Sequence, residues 1–262
     1  MGEHKKVVVV GLGEVGKPLF EIASKHYATL GVNIAPAAER PEGVEVMHVC
    51  YPFQIKDFVG ETARYVEFFK PALTIINSTV AVGTTRAVAE RIGAAIVNSP
   101  VRGKHARMAE DVLRYTKFVG AINPADGERA AKHFQAMGMK TKVLSSPEAT
   151  ELAKLTETTY FGVIIAYAQE VERYCDQLGQ DYNEVASFYQ EIGFLPPVKY
   201  FPGVIGGHCV MPNIEILSRM GHSETLAAIQ ASNRKKMARD AVRAKAEGAS
   251  RDKAALRPTP AR

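Results

Sequence analysis

Short runs of β-branched residues alternate with segments of helical periodicity over the first 146 residues. This alternation is typical of a parallel sheet flanked by helices. We therefore predict an α/β fold that begins with a Rossmann domain, a doubly wound parallel sheet, over residues 1–146. The candidate strands are Lys6–Gly11, Thr29–Ile34, Val44–Cys50, Leu73–Ile76, Ala94–Asn98, Lys117–Ile122 and Thr141–Leu144.

After Pro147 the pattern changes to long helical segments. Residues 148–178 contain no proline, a single glycine, and apolar residues at helical spacing. We predict an all-helical second domain over residues 147–247 and a basic, flexible tail over residues 248–262. The candidate helices are Glu148–Leu178, Asp181–Ile192 and Glu224–Ala246.

Composition narrows the functional classes. No apolar run approaches the roughly 18 residues of a membrane-spanning helix, so we expect no membrane association and a cytoplasmic location. Three cysteines at no metal-ligand spacing argue against disulfides and against a metal site. The net charge of +5 comes from the C-terminal part, where residues 234–262 hold ten Lys and Arg against three Asp and Glu. Without interleaved aromatic residues, that segment argues against nucleic acid as a partner.

A glycine-rich loop follows the first strand. Four valines run into a GxGxxG sequence, and a helical segment follows it. In such loops Gly11 makes the turn, Gly13 admits the pyrophosphate to the backbone, and Gly16 lets the helix pack on the strand. The sequence therefore predicts a dinucleotide site whose cofactor-binding residues are Gly11, Leu12, Gly13, Glu14, Val15 and Gly16.

The residue expected to bind the adenosine ribose is altered. An Asp or Glu is usual at the end of the second strand, but Asn33 stands there. Asn33 can bond a hydroxyl without bringing charge, and Arg40, the nearest arginine, is seven residues further on. We therefore expect NAD as the cofactor, with NADP left open.

A second glycine-rich segment, residues 203–209, ends in a cysteine. Glycines remove side chains that would hinder the approach of a substrate, which is what a nucleophilic thiolate needs. The alternative is a tight turn followed by a small buried residue, since lone cysteines are often buried. From these residues alone both interpretations of Cys209 stay open.

In five segments the chain resembles the nucleotide-sugar dehydrogenases, the family of UDP-glucose, GDP-mannose and UDP-N-acetylmannosamine dehydrogenases. The GGHC form of the last segment is most like the UDP-N-acetylmannosamine branch. Family members continue into a C-terminal domain that holds much of the nucleotide sugar, and the resemblance stops at about residue 245. The matching segments are GLGEVG (11–16), NSTVAVGTT (77–85), NSP (98–100), ELAKL (151–155) and FPGVIGGHC (201–209).

The resemblance implies a site. Cys209 corresponds to the nucleophile, Lys154 to the lysine that stabilises developing charge, and Thr79 to a threonine near the nicotinamide. Glu151 is either a substrate contact or a structural ion-pair partner. Further cofactor contacts are implied at Asn33, Tyr51, Pro52, Ser78 and Thr79, and substrate contacts at Glu151, Thr158, Gly206, Gly207, His208 and Asn213.

Three family positions are changed at the chemistry. Val101 replaces a glutamate that helps water to cleave a thioester, Thr158 replaces an asparagine, and Asn213 replaces an aspartate. Valine cannot move a proton, so complete oxidation to an acid does not carry over automatically. The expected activity is an NAD(P)-dependent oxidation of an alcohol or aldehyde in a sugar or nucleoside-like substrate, with altered or incomplete four-electron chemistry.

Two alternatives and an expected assembly accompany this interpretation. A β-hydroxyacid dehydrogenase shares the two domains but has no need of the GGHC loop. A non-catalytic nucleotide-binding or scaffold protein fits the changed positions but not the retention of Cys209 and Lys154. We also expect a homodimer through Glu148–Leu178, with Tyr160, Phe161 and Tyr167 available for burial.

Overall fold

The computed structural model describes residues 5–33, 41–103, 107–191, 201–206 and 209–255. The chain divides into two compact units, Met1–Leu155 and Thr156–Arg262. This division falls inside a long helix, and the domain limits expected at residues 146 and 247 stay predictions.

Seven strands of the first unit form one sheet in the order β2-β1-β3-β4-β5-β6-β7 within the described residues. The predicted fold class is thus confirmed, and each strand lies within two residues of its expected limits where the structure describes them; Ile34 lies outside the described residues. The strands are β1 Lys6–Val10, β2 Ala28–Val32, β3 Val44–Val49, β4 Leu73–Ile76, β5 Ile96–Asn98, β6 Lys117–Ala121 and β7 Thr141–Leu144.

The sheet is mostly rather than wholly parallel, which corrects one part of the prediction. β5 and β6 are antiparallel, with Asn98 opposite Gly120. A β6 parallel to β5 would need a crossover connection that brings the chain back to the edge of the sheet where β5 begins. Here the chain instead stays at the edge where β5 ends, and Lys117 begins β6 at that same edge.

Helices cover both faces of the sheet. Successive valines of β1 point to opposite faces, so that Val7 and Val9 enter one apolar cluster with Leu19 and Phe134, while Val8 and Val10 enter another. Both faces are buried, as in other parallel sheets. The helices of this unit are α1 Gly16–Ala23, α2 Phe58–Phe69, α3 Thr84–Ile92, α4 Met108–Arg114 and α5 Pro124–Ala136.

The remaining elements are helical. α6 begins in the first unit at Pro147 and runs to Leu178. The predicted end of the last helix at Ala246 is wrong, because α9 continues to Ala255. Gly248 costs such a helix about 1 kcal/mol relative to alanine, and the alanines and charged residues around it favour the helix. The other elements are α7 Tyr182–Ser187, a 3₁₀ helix at Phe188–Glu191, and α8 Val210–Ser218.

Ion pairs join α6 to the basic face of α9. Glu172 lies 2.9 Å from Lys236 and 3.0 Å from Arg239, and Asp176 pairs with Arg239 and Arg243. The side chain of Lys236 is only 8% exposed, so this pair is shielded from solvent. Part of the excess positive charge of the C-terminal segment is therefore neutralised within the chain.

Two buried histidines, His48 of β3 and His133 of α5, belong to a hydrogen-bonded chain. Asn77 Nδ2 lies 3.1 Å from the Ile75 carbonyl, which can only accept, and 3.0 Å from His48 Nδ1. Asn77 therefore donates to His48, and His48 Nε2 donates to His133 Nε2 at 2.9 Å. Both rings are neutral in this arrangement. Burial lowers the pKa of His48 well below its usual value and that of His133 to about 4.

These shifts predict acid sensitivity. Residue 133 binds a proton near pH 6.5 in the unfolded chain but only near pH 4 in the folded protein. The contribution of His133 to the free energy of unfolding is therefore fully present above about pH 6.5 and is lost as the pH falls toward 4. His133→Gln keeps an acceptor for His48, and its free energy of unfolding should fall by about 2 to 3 kcal/mol less than that of the wild type between pH 7.5 and 4.5. Urea unfolding at several pH values measures it. His26→Gln, a change at an exposed histidine, is the control. If the free energy of unfolding of His133→Gln depended on pH as steeply as that of the wild type, the assignment would be wrong.

Candidate active site

The glycine loop has the geometry that its sequence predicts. Gly11 has a φ of +90°, and a Cβ there would lie 2.8 Å from the backbone nitrogen of Tyr51. A Cβ on Gly16 would lie 1.7 Å from the Gly11 carbonyl oxygen, whereas one on Gly13 would meet nothing within 4 Å. Gly11 and Gly16 are thus required for the turn and for helix packing, and Gly13 leaves the backbone open to a ligand.

Asn33 lies beside this loop at the end of β2. Its Oδ1 accepts a long hydrogen bond, 3.4 Å, from the backbone N–H of Leu12. Glu14 and Asn33 are exposed, while Leu12 and Val15 are half-buried. The exposed N-terminus of α1, the open Gly13 backbone and Asn33 together can hold the pyrophosphate and ribose of a dinucleotide.

The ends of β3 and β4 are tied together next to the loop. Ser78 Oγ donates to the Tyr51 carbonyl at 2.6 Å, and the Tyr51 hydroxyl contacts Thr62 Oγ1 at 2.6 Å. Burial raises the pKa of Tyr51. Thr79 is half-buried and Pro52 is exposed. Of these predicted cofactor contacts, the side chains of Tyr51 and Ser78 are engaged within the protein.

A cleft of about 1070 Å³ begins at this edge of the sheet. It reaches from the end of β1, past β3, along α2, and its volume is sufficient for a dinucleotide-sized ligand. Gly11 is the one residue of the glycine loop that lines the cleft, and the lining continues to Lys70 after α2 and to Ala94 after α3. Its lining includes Gly11, Tyr51, Ile55, Lys56 and Arg64.

Glu151 fixes the beginning of α6 to the beginning of α3. One carboxylate oxygen accepts from the Gly83 N–H at 2.7 Å, and the other accepts from the N–H and hydroxyl of Thr85 at 2.9 and 2.6 Å. Glu151 is 1% exposed, and burial raises its pKa despite these donors. This environment favours the structural alternative for Glu151, although as a helix cap rather than an ion pair.

Lys154 follows one helical turn later. It is half-buried and belongs to the same compact unit as the glycine loop. Thr150 Oγ1 donates to Asn98 Oδ1 at 2.7 Å, which ties this part of α6 to the end of β5. Thr150 and Glu151 together therefore fix the first turns of the helix, and with them Lys154.

A buried lysine that sequence reasoning missed supports the segment after β5. Lys117 Nζ donates to the Ser99 carbonyl, and burial lowers the pKa of Lys117 to about 7. Val101, which stands where the family has a glutamate, is 6% exposed and belongs to the same apolar cluster as Met108 and Val112. The position that holds a carboxylate in the family is therefore part of the apolar core in this chain.

In the second unit, Cys209 is exposed and caps the N-terminus of α8. The positive end of the helix dipole stabilises negative charge at such a position. The Asn213 N–H bonds the Cys209 carbonyl at 3.2 Å, one turn further on. Exposure removes the alternative of a buried, inert cysteine.

The other predicted substrate contacts differ in exposure. Gly206 is exposed, the side chains of Thr158 and Asn213 are buried, and Gly207 and His208 lie outside the described residues.

The described residues show neither a metal centre nor a membrane-spanning helix. Across the described ranges, no three His, Cys, Asp or Glu side chains come together as metal ligands would. None of the described helices combines the length and the apolar character that a membrane crossing requires.

The sheet order and the glycine loop define a Rossmann-type fold, and a helical unit follows it in the chain. Residues 148–236 match the UDP-glucose/GDP-mannose dehydrogenase family, central domain, which confirms the resemblance found in the sequence. UDP-N-acetyl-D-mannosamine dehydrogenase of Methanococcus vannielii is 23% identical over 259 residues, which cover 79% of this chain and 59% of that protein. The chain thus spans about 59% of the length of this curated relative.

Solved structures share the fold. The UDP-D-ManNAc dehydrogenase of Pyrococcus horikoshii superposes with a TM-score of 0.78 at 20% identity, covering 98% of this chain and 74% of that one. The 3-hydroxyisobutyrate dehydrogenase of Mycobacterium tuberculosis gives 0.68 at 17% identity, covering 88% of this chain and 94% of that one. Fold alone therefore does not separate the two enzyme classes considered above.

The Glu151 cap predicts a large effect on stability. Glu151→Ala leaves three donors of α3 unpaired in a buried position, so the free energy of unfolding should fall by about 3 kcal/mol. Glu148→Ala is the matched control one turn earlier: it pairs with Arg86 at 2.7 Å near the surface and should cost less than about 1 kcal/mol. Denaturant unfolding compares them. Equal losses in the two variants would refute the assigned cap.

Proposed function

We propose that this chain binds NAD and oxidises an alcohol or aldehyde group of a sugar or nucleoside-type substrate, in the manner of the nucleotide-sugar dehydrogenases. The observation that carries the proposal is an exposed Cys209 at the start of α8 in a chain that also has an open dinucleotide loop. The match over residues 148–236 supports the same class. A β-hydroxyacid dehydrogenase would have no use for this cysteine.

NAD is the assigned cofactor, with NADP as the alternative. Asn33 lies beside Leu12 at the end of β2, where we propose that the adenosine ribose binds. Its side chain can bond a hydroxyl while bringing no charge. A 2′-phosphate would call for a cation at this point. When bound, NAD supplies the acceptor for the hydride removed from the substrate carbon.

Lys154 and Cys209 have different roles in the proposed reaction. As the alcohol carbon loses a hydride and its hydroxyl loses a proton, Lys154 stabilises the negative charge that develops on oxygen. The Cys209 thiolate then adds to the aldehyde carbon, forming a thiohemiacetal that retains the aldehyde. Loss of a second hydride, for which a second NAD would supply the acceptor, together with loss of the hydroxyl proton converts this adduct to a thioester. Water then cleaves the thioester to a carboxylic acid and the free thiol.

The last step is the one that this chain supports least. A general base near the thioester would accelerate the attack of water, but Val101 is buried among apolar residues at the family's glutamate position. We therefore propose that release of the acid is slow compared with thioester formation.

Kinetics of the purified full chain with NAD test this order. With UDP-N-acetylmannosamine, UDP-glucose and GDP-mannose as probes, we expect a burst in absorbance at 340 nm followed by slower turnover, and an acylated Cys209 by mass spectrometry. Cys209→Ala should lower acid formation at least about a hundredfold, whereas Cys175→Ala, a change at a buried cysteine, should not. A flat trace with a broad alcohol panel would reject the dehydrogenase proposal.

We further propose a homodimer formed through α6. Tyr160, Tyr167 and Tyr174 are exposed by 56%, 60% and 53% and recur every seven residues, so they share one helix face. Three large amphipathic rings on one face are typical of interfaces. The stripe formed by these three tyrosines is the proposed contact between the two copies.

The oligomeric state of a charged variant tests this contact. Tyr167→Glu introduces a negative charge at the centre of the stripe and should shift a dimer to a monomer in analytical ultracentrifugation, because burying an unpaired charge is costly. Tyr115→Glu makes the same change on an exposed tyrosine of the first unit and should leave the dimer intact. A monomeric wild-type protein, or a dimeric Tyr167→Glu, would exclude the stripe as the interface.

A cytoplasmic location is also proposed. Cys50, Cys175 and Cys209 are all free thiols. Reduced cysteines are the rule in the cytosol, whereas secreted proteins tend to pair theirs. Fractionation of cells that produce the protein would test the location.

A further inference from the structure

The segment before Cys209 is held by two buried amide side chains. Asn233 Oδ1 accepts from the Ile205 N–H at 2.7 Å, and Asn233 Nδ2 donates to the Ile205 carbonyl at 2.9 Å. Gln169 Nε2 donates to the Gly203 carbonyl at 2.7 Å. The backbone of residues 203–205 thus receives three short hydrogen bonds from side chains of α6 and α9, as it would from a neighbouring strand.

These amides are themselves fixed. Gln169 is fully buried and Asn233 is 4% exposed. Ser232 Oγ lies 2.9 Å from Gln169 Oε1, and Arg173 in turn lies 3.1 Å from Ser232 Oγ. Because the Gln169 oxygen already has this partner, its amide nitrogen is directed at the Gly203 carbonyl.

Packing connects the same segment to the helix that Cys209 caps. The Ile205 side chain is 3% exposed and belongs to one apolar cluster with Val210 and Ile214 of α8. Asn233 therefore holds the Ile205 backbone from one side, while α8 holds the Ile205 side chain from the other. Cys209 stands between the anchored Ile205 and the first turn of α8.

We propose that Gln169 and Asn233 are positioning residues for Cys209, acting through the backbone of Gly203 and Ile205. The glycines of this segment leave its own backbone few constraints, so the two amides supply the constraint from outside. The importance of the position for turnover rests on the proposed function, because a nucleophile must meet its target within near-contact geometry. The anchoring itself does not depend on the reaction.

Three variants test the anchoring in the ligand-free full chain. Asn233→Leu removes both bonds to Ile205 and a long contact, 3.5 Å, from Gln169 Nε2 to Asn233 Oδ1. Gln169→Met, a milder change, removes the bond to Gly203. Lys236→Met is the control, since it breaks a buried ion pair with Glu172 on the same two helices. Hydrogen exchange of the Ile205 amide should accelerate about fivefold to tenfold in Asn233→Leu and stay unchanged in Lys236→Met.

The reactivity of Cys209 is the second measurement. With its preceding segment released, Cys209 should react about threefold or more faster with a bulky maleimide in Asn233→Leu and in Gln169→Met, but not in Lys236→Met. Cys50 and Cys175 are buried and serve as internal references. Unchanged labelling of Cys209 in folded Gln169→Met and Asn233→Leu would overturn the proposal.

Turnover separates positioning from stability. In the NAD assay both amide variants should lose at least about tenfold in kcat while KM for NAD stays within about twofold, and Lys236→Met should keep its kcat below its unfolding temperature. An equal loss in Lys236→Met would mean a merely structural role and would overturn the proposal. A wild-type chain that does not reduce NAD refutes the proposed function instead, and exchange and labelling then still decide the anchoring.

Discussion

The carboxylate of Glu151 is the interaction on which the arrangement of the first unit depends. It accepts from the backbone of Gly83 and from both donors of Thr85, and it thereby joins the start of α6 to the start of α3. A buried carboxylate is stable only when such donors surround it. Since Lys154 follows one turn later on the same helix, the cap that stabilises the fold also fixes a candidate catalytic side chain.

Local patterns predicted the strands, because β-branched runs bounded by glycine and polar residues have few other solutions. They could not give the direction of β6, since hydrophobic periodicity is the same for a strand in either orientation. The end of α9 was missed for a related reason. Gly248 weakens a helix locally, but the alanines and charged residues around it still favour one, and the chain carries no proline there.

The site was predictable where a motif dictates backbone geometry. Gly11, Gly13 and Gly16 have the turn, open and packing positions that the loop motif requires. Roles that depend on residues far away in the sequence were not predictable. Glu151 was interpreted as a substrate contact or an ion-pair partner, because the sequence does not show its donors at the start of α3. Lys117 gave no signal at all, because a lysine at the start of a strand is ordinarily exposed.

Because β6 runs antiparallel to β5, it begins at the edge of the sheet where β5 ends. Parallel strands bring only the residues that follow them to this edge, whereas β6 brings its first residue, Lys117, whose amine supports the Ser99 carbonyl from within the core. With a pKa of about 7, that amine exchanges between a charged and a neutral form near neutral pH. Lys117 is only 4% exposed, so proton uptake by this amine changes the charge beneath the loop after β5 from within the core.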